Sequence, residues 1–353
     1  MKRSLYLLFA VLVLASMVLT ACGPAATPVP PTEAPKPTEA PKPTEVPPTA
    51  VPEPTEVPAP SVGTPENPII MALAPSATAQ ELIASGEDIA KQLSAMTGYT
   101  ITTTVPTSYG ALVEAMGAGQ AHVGWLPPFA YVIANSKGYA EVGLVTVRRG
   151  ATTYGAQFVA NAESGLTSYF DPAANDGRGA NTADAKTALA QLEGKKPCWT
   201  DPLSSSGYVI PLGIIQNLGV KPRTGAFVQG HPTVINSVYL SPKGEICDFG
   251  ATFIDARSNV AEQFPDVNDK VIVVWRTDPT IPNDNVAFAA DLPTDVRAKI
   301  VEALLKMAET EDGKAALKKV YSIDGLQQVD DAFYDDFRVY LEASGVDVSS
   351  LVK

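Results

Sequence analysis

Residues 69–105 read IIMALAPSATAQELIASGEDIAKQLSAMTGYTITTTV, and their pattern decides the fold class. Residues 69–74 form an unbroken apolar run of strand length, as a buried strand requires. From residue 78 to 96 the apolar side chains Leu82, Ile83, Ile89, Ala90 and Leu93 recur at helical spacing. Residues 99–105 then alternate and are rich in β-branched side chains. Outward from this unit the rhythm repeats: a short amphipathic helix over 109–116, a strand over 122–125 and a helix over 128–135. Strands alternating with helices predict a parallel sheet wrapped by helices.

Further strands are expected at 142–147 and 157–160. Residues 164–190, rich in Asp, Asn, Gly and Ala, read as a surface insertion whose spacing does not fit an EF-hand. The α/β rhythm resumes with a strand at 196–200, a helix at 209–218, a strand at 225–228, a helix at 233–240 and strands at 247–253 and 271–275. The Pro-rich stretch 276–284 reads as a crossover, 285–289 as a strand, and 295–309, 313–320 and 331–343 as helices.

The 353 residues suffice for two domains, and a formal net charge of −12 without a basic patch argues against nucleic acid as a partner. Lys2 and Arg3 precede an apolar stretch, 5–19, that ends in Leu19-Thr20-Ala21-Cys22. This is the pattern of a bacterial lipoprotein signal, so residues 1–22 are expected to target the chain and Cys22 to carry the lipid. Residues 23–64, rich in Pro, Thr and Glu, have little to bury and are expected to form a disordered tether. At about 3.1 Å per residue it would reach on the order of 100 Å. The folded part is therefore expected outside the cytoplasmic membrane, held to it by lipid.

Beyond Cys22 only Cys198 and Cys247 remain. An even pair in an oxidising compartment predicts one disulfide, with two free buried thiols as the alternative, and the spacing does not suit zinc. No Walker loop, zinc-peptidase helix or Gly-x-Ser-x-Gly elbow occurs, so no catalytic residue, metal or cofactor is expected. Residues 201–211, Asp-Pro-Leu-Ser-Ser-Ser-Gly-Tyr-Val-Ile-Pro, carry the strongest functional signal. Ser204, Ser205 and Ser206 stand just before an apolar run, where a helix begins. Free amides, hydroxyls and the close approach allowed by Gly207 there make an oxyanion cradle. A plain helix cap without a ligand is the other reading of the same residues.

Five segments carry a family resemblance: Ser108-Tyr109-Gly110-Ala111-Leu112-Val113-Glu114-Ala115, Gly124-Trp125-Leu126-Pro127-Pro128-Phe129-Ala130-Tyr131, residues 201–211, Gly230-His231, and Ile281-Pro282-Asn283-Asp284. In this order, residues 68–344 resemble the phosphate/phosphite/phosphonate substrate-binding proteins of ABC importers. The resemblance implies an α/β, two-domain, type II periplasmic-binding-protein-like fold with a ligand cleft between the domains. The first domain would comprise 65–158 and 285–353, the second 159–284. Ser205 stands where the family usually has Thr, His122 replaces a common Asp and reads as structural, and the insertion at 164–190 is longer than usual.

The ligand-binding set implied is Tyr109, Tyr154, Ser204, Ser205, Ser206, His231, Asp255 and Asp284. His231 would act as an imidazolium. Asp255 and Asp284 would favour a phosphonate with a positive tail, such as 2-aminoethylphosphonate. The expected function is capture of a phosphonate-type anion by hinge closure, for delivery to an ABC permease by a monomeric receptor. Phosphite, phosphate or a sulfonate are alternative ligands. A serine hydrolase using Ser205, His231 and Asp255, or a ligand sensor, are alternatives of another class.

Overall fold

The structure, a computed structural model of the chain, describes residues 61–77 and 79–343. The targeting segment, Cys22 and the tether up to residue 60 lie outside the described residues. Gly63, expected near the end of the tether, already belongs to the fold, since the Thr100 N–H donates to its carbonyl. Among the described residues no helix is long and apolar enough to cross a membrane.

In the first lobe β1 (Ile69–Leu73), β2 (Ile101–Thr104), β3 (Val123–Leu126) and β4 (Ala140–Val147) alternate with α1 (Ala79–Thr97), α2 (Tyr109–Gly117) and α3 (Pro128–Ser136). The chain then crosses through β5 (Thr153–Tyr154) into β6 (Ala156–Asn161), the first strand of a second sheet. That lobe continues with β7 (Phe170–Asp171), β8 (Ala180–Asn181), β9 (Pro197–Trp199), α4 (Ile210–Asn217), β10 (Ala226–Phe227), α5 (His231–Tyr239), β11 (Phe249–Phe253) and β12 (Val271–Arg276). The return passes through β13 (Ile281–Pro282) into β14 (Asn285–Ala289), followed by α6 (Thr294–Met307), α7 (Glu311–Tyr321), β15 (Gly325–Gln328) and α8 (Asp335–Ala343).

The strand orders are β15-β4-β14-β3-β1-β2 and β10-β9-β11-β6-β12. In each sheet three parallel strands are followed by one antiparallel strand, β14 or β6, which is the strand that has just crossed from the other lobe. The all-parallel expectation is thus corrected to mixed sheets. A crossing strand follows an extended connection rather than a helix, so it enters its sheet from the opposite end. The expected boundary at 158/159 falls inside β6; the chain crosses between Val147 and Ala156 and returns between Arg276 and Asn285. The two crossing segments pair with each other through β5 and β13.

Each lobe is layered. The buried apolar residues of α1, α6 and α7 pack on one face of the first sheet. Residues from α4 and α5 sit in separate clusters of the second lobe, with Phe249 in one and Val234 and Val238 in the other. One further cluster joins the lobes, bringing Tyr109, Phe129, Ile281 and Phe337 together with Val209 and Ile210. The insertion is a small β7–β8 pair laid along β12. The Asn181 side chain bonds both backbone groups of Arg276, and the Arg276 guanidinium lies 4.0 Å over the Phe170 ring. It thereby covers an edge strand, where unpaired backbone groups would otherwise be exposed.

Parallel pairing of β9 with β11 brings Cys198 beside Cys247, and the two are disulfide-bonded with Cα atoms 5.6 Å apart. Full reduction is expected to lower unfolding stability by about 2–4 kcal/mol, through the entropy the unfolded chain regains. Denaturant curves with and without reductant check this; coincident curves would show that the bridge contributes nothing.

Candidate functional site

Apart from Asp255, the residues singled out in the sequence gather beyond the carboxyl ends of the strands, where open α/β sheets place ligands. Strand β4 runs into Arg148, β3 into the start of α3, β9 into the turn holding Ser204–Ser206, and β10 into Gly230 and His231. The lobes touch across this region. The Tyr109 N–H, at the start of α2, donates to Asp201 Oδ2 at 3.3 Å, and the Phe129 N–H, at the start of α3, donates to Ser205 Oγ at 3.1 Å. Tyr109, Ser204, Ser205, Ser206 and His231 are all buried.

Local sequence explains the serine turn. Ser204 is extended and caps the helix start, its Oγ accepting from the Gly207 N–H at 3.1 Å. A single π-helical turn, Ser205–Val209, then leads into α4. Gly207 is required there, because a Cβ would stand 1.9 Å from Thr200 Oγ1 and 2.5 Å from Thr200 Cγ2. All three hydroxyl oxygens already accept a hydrogen bond: Ser204 from Gly207, Ser205 from Phe129 and Ser206 from the Tyr154 hydroxyl at 3.4 Å. None of the three donates its O–H among the described residues, which leaves three hydroxyl donors at one helix start.

His231 opens α5 directly after Gly230, whose φ of 106° a side chain would strain. Without a bound anion His231 is a neutral imidazole rather than the expected imidazolium. Burial, reinforced by the positive charge of Arg148, pushes its pKa down to about 3. The Phe253 N–H donates to His231 Nδ1 at 3.4 Å, so the neutral ring carries its proton on Nε2 and remains a donor. Among the described residues no carboxylate holds Nδ1, which accepts from a backbone N–H instead, so they do not assemble the Ser-His-Asp arrangement of a serine hydrolase.

Tyr154 and Tyr109 are neutral hydroxyls, with burial first and then the charge of Asp284 raising their pKa values. Asp284 is brought to the same place but already has a partner, as Arg148 Nη2 lies 2.5 Å from its Oδ2. Asp255 is not brought together with the others. It sits in the left-handed region (φ 74°) after β11, its side chain 42% exposed against 18% for Asp284. Its carboxylate faces Arg149 at 3.4 Å and Arg276 at 3.8 Å. The salt bridge that its sequence neighbour Arg257 could have made goes elsewhere, for Arg257 donates to the Val271 carbonyl.

Sequence reading missed Arg148, Asp201 and Tyr321. Tyr321 donates to the Ala74 carbonyl at 2.8 Å and lies within electrostatic reach of Asp284 and Arg148. Burial raises the pKa of Asp201, which accepts from the backbone of both Leu203 and Tyr109. The available signal was an arginine directly after an apolar strand, just before the crossing to the second lobe. A surface groove of about 700 Å³ lies elsewhere, lined by β4, α6 and residues 328–331, and holds none of the expected site residues.

The family described as ABC transporter, phosphonate, periplasmic substrate-binding protein matches residues 71–334. The phosphate-import protein PhnD of Mycolicibacterium smegmatis is 29% identical over 204 residues, 54% of this chain and 56% of the relative. The chain thus spans little more than half the length of that curated relative. The binding protein component of a Pseudomonas aeruginosa ABC phosphonate transporter has a TM-score of 0.67 at 18% identity, covering 83% of this chain and 89% of that one. PhnD1 from Prochlorococcus marinus, solved with methylphosphonate, has a TM-score of 0.67 at 15% identity, covering 82% and 100%. The likeness to these structures shows the α/β type II periplasmic-binding-protein fold.

Proposed function

Because this chain belongs to the phosphonate substrate-binding protein family of ABC transporters, we propose that it captures a small phosphorus oxyanion outside the cytoplasmic membrane and delivers it to the permease of an importer. The family is that of a non-enzymatic transport component. The observation that carries the reading is the buried turn of Ser204, Ser205 and Ser206, each accepting one hydrogen bond and none donating its O–H among the described residues. Neutral His231 and the hydroxyl of Tyr109 complete a donor-rich site of little net charge, while Tyr154 spends its O–H on Ser206. Such a site binds an oxyanion by charge-assisted hydrogen bonds. Three or four of these, each about 1.5–3 kcal/mol and set against ordering costs, support micromolar to nanomolar affinity.

A 2-aminoethylphosphonate ligand is not favoured, because both carboxylates that would receive its ammonium face arginines. Phosphate, phosphite and methylphosphonate remain the candidates. The lobes 65–158 with 285–353 and 159–284, with the boundary moved to the crossing segments, would close about the β5–β13 pair. Cys22 would hold the receptor to the membrane through its lipid and the tether.

Calorimetry against phosphate, phosphite, methylphosphonate, 2-aminoethylphosphonate and sulfate tests the reading. One of the first three is expected to bind at micromolar concentration or below, and absence of heat for all three at millimolar concentration would sink it. Ser205→Ala removes one charged hydrogen bond and is expected to weaken the best ligand about 10- to 100-fold. Unchanged affinity would put the anion elsewhere. Cys22→Ala is expected to release the protein from membranes or leave it unprocessed. Acyl labelling of that variant at the wild-type level would overturn the anchor.

A further inference from the structure

We propose that Arg148 is a specificity-determining residue of the cleft, and that by holding Asp284 it makes the site select oxyanions without a cationic tail. The inference rests on the reading of this cleft as an oxyanion site. Arg148 directly follows β4, and its Nη2 lies 2.5 Å from Asp284 Oδ2. Both partners are largely buried, with side chains 24% and 18% exposed.

The pair stands among the expected ligand contacts. The charge of Arg148 reaches His231 in the second lobe, Tyr154 in the crossing segment and Tyr321 in the first lobe, whose ring centre is 6.0 Å from the guanidinium carbon. Asp284 acts in turn on Tyr109, Tyr154 and Tyr321. One backbone bond and one side-chain amide clamp keep the two together. The Thr146 N–H donates to the Asp284 carbonyl, and the Asn283 side-chain Nδ2 donates to the carbonyls of Thr146 and Ala151 on either side of Arg148.

Chemistry then sets the selection. An ammonium in a poorly solvated cleft needs an unengaged carboxylate. Here the carboxylate is engaged by a guanidinium that cannot lose its proton, so a ligand ammonium would have to displace a like charge. An oxyanion meets the opposite situation. A guanidinium has five N–H donors in a planar fork, and the Nε–H of Arg148 is buried without a hydrogen-bond partner among the described residues. Asp284 thus acts as a positioning residue for Arg148.

Calorimetry with methylphosphonate and 2-aminoethylphosphonate tests this on the folded protein, with thermal unfolding as the check of integrity. Wild type is expected to bind methylphosphonate at least about tenfold more tightly, the worth of one charged interaction. Arg148→Met is expected to weaken methylphosphonate about 10- to 100-fold while strengthening 2-aminoethylphosphonate, reversing the order, because Asp284 is then free. Arg148→Lys keeps a cation against Asp284 and is expected to keep the wild-type order. Should Arg148→Met not fold, Asp284→Asn decides: the preference for methylphosphonate is expected to persist, whereas a selective loss of 2-aminoethylphosphonate would mean that Asp284 receives the ammonium. A wild type preferring 2-aminoethylphosphonate, or an Arg148→Met variant with an unchanged ratio, overturns the proposal. A wild type that binds neither these two nor phosphate or phosphite overturns the oxyanion reading itself, and the inference with it.

Discussion

Gly207→Ala is expected to weaken oxyanion binding more than about 100-fold, the loss of two charged hydrogen bonds, while costing about 1–3 kcal/mol of stability through overpacking. The cause is steric. The added methyl would stand 1.9 Å from Thr200 Oγ1, 2.5 Å from Thr200 Cγ2 and 2.8 Å from Ser204 Oγ. Rotating Thr200 brings no relief, because both its branches are in the way and the residue is fully buried. The turn must therefore move away from β9. That movement breaks the bond from the Gly207 N–H to Ser204 and the bond from the Thr200 N–H to the Gly207 carbonyl. Ser204, Ser205 and Ser206 are then aimed differently, and Ser205 leaves the Phe129 N–H that ties it to the first lobe. Calorimetry with the best oxyanion, alongside denaturant unfolding, separates the two effects. A folded Gly207→Ala protein with affinity within about threefold of wild type would show that the serine turn does not hold the ligand.

Much of the architecture was legible because it depends on local pattern. Apolar runs and helical spacing locate β1, α1, β3 and α3, and the serine turn was readable because a capping serine before an apolar run has few other uses. What escaped the sequence depends on partners distant along the chain. Strand β15, Gly-Leu-Gln-Gln, has no alternation of its own and exists because it pairs with the edge of β4. The antiparallel direction of β6 and β14 follows from the crossing of the chain. At the site, Asp284 was recognisable as a turn residue of interest, but nothing local states that Arg148, 136 residues away, is its partner. Asp255 failed to join the cleft for a similar reason. Its left-handed backbone directs the carboxylate toward Arg149 and Arg276, and neither the φ angle nor those neighbours can be read from the residues beside it.

The protonation of His231 was also beyond the sequence, and its consequence is large. Between pH 7 and pH 5 the ligand-free protein is expected to lose about 2 kcal/mol of stability that a His231→Asn variant keeps. Burial and Arg148 push the native pKa from 6.5 down to about 3. The unfolded chain takes up a proton on this ring below about pH 6.5, and the native state does not until about pH 3. In that window the unfolded state binds more protons, so stability rises with pH. It is complete above 6.5, falls as the pH drops toward 3, and loses nothing more from this group below that. Asn is the informative replacement because its amide oxygen can still accept from the Phe253 N–H, as Nδ1 does. His122, half-buried and also pushed down by burial, contributes in the same direction and is common to both proteins, so their difference isolates His231. The measurement is denaturant unfolding at pH 7, 6 and 5. Parallel pH dependences in wild type and variant would mean that His231 is protonated equally in both states. A saturating oxyanion should reduce the wild-type loss, because a negative charge beside the ring favours its protonated form and draws the native pKa back toward the unfolded value. That shrinkage links the acid sensitivity of the fold to the charge of its ligand.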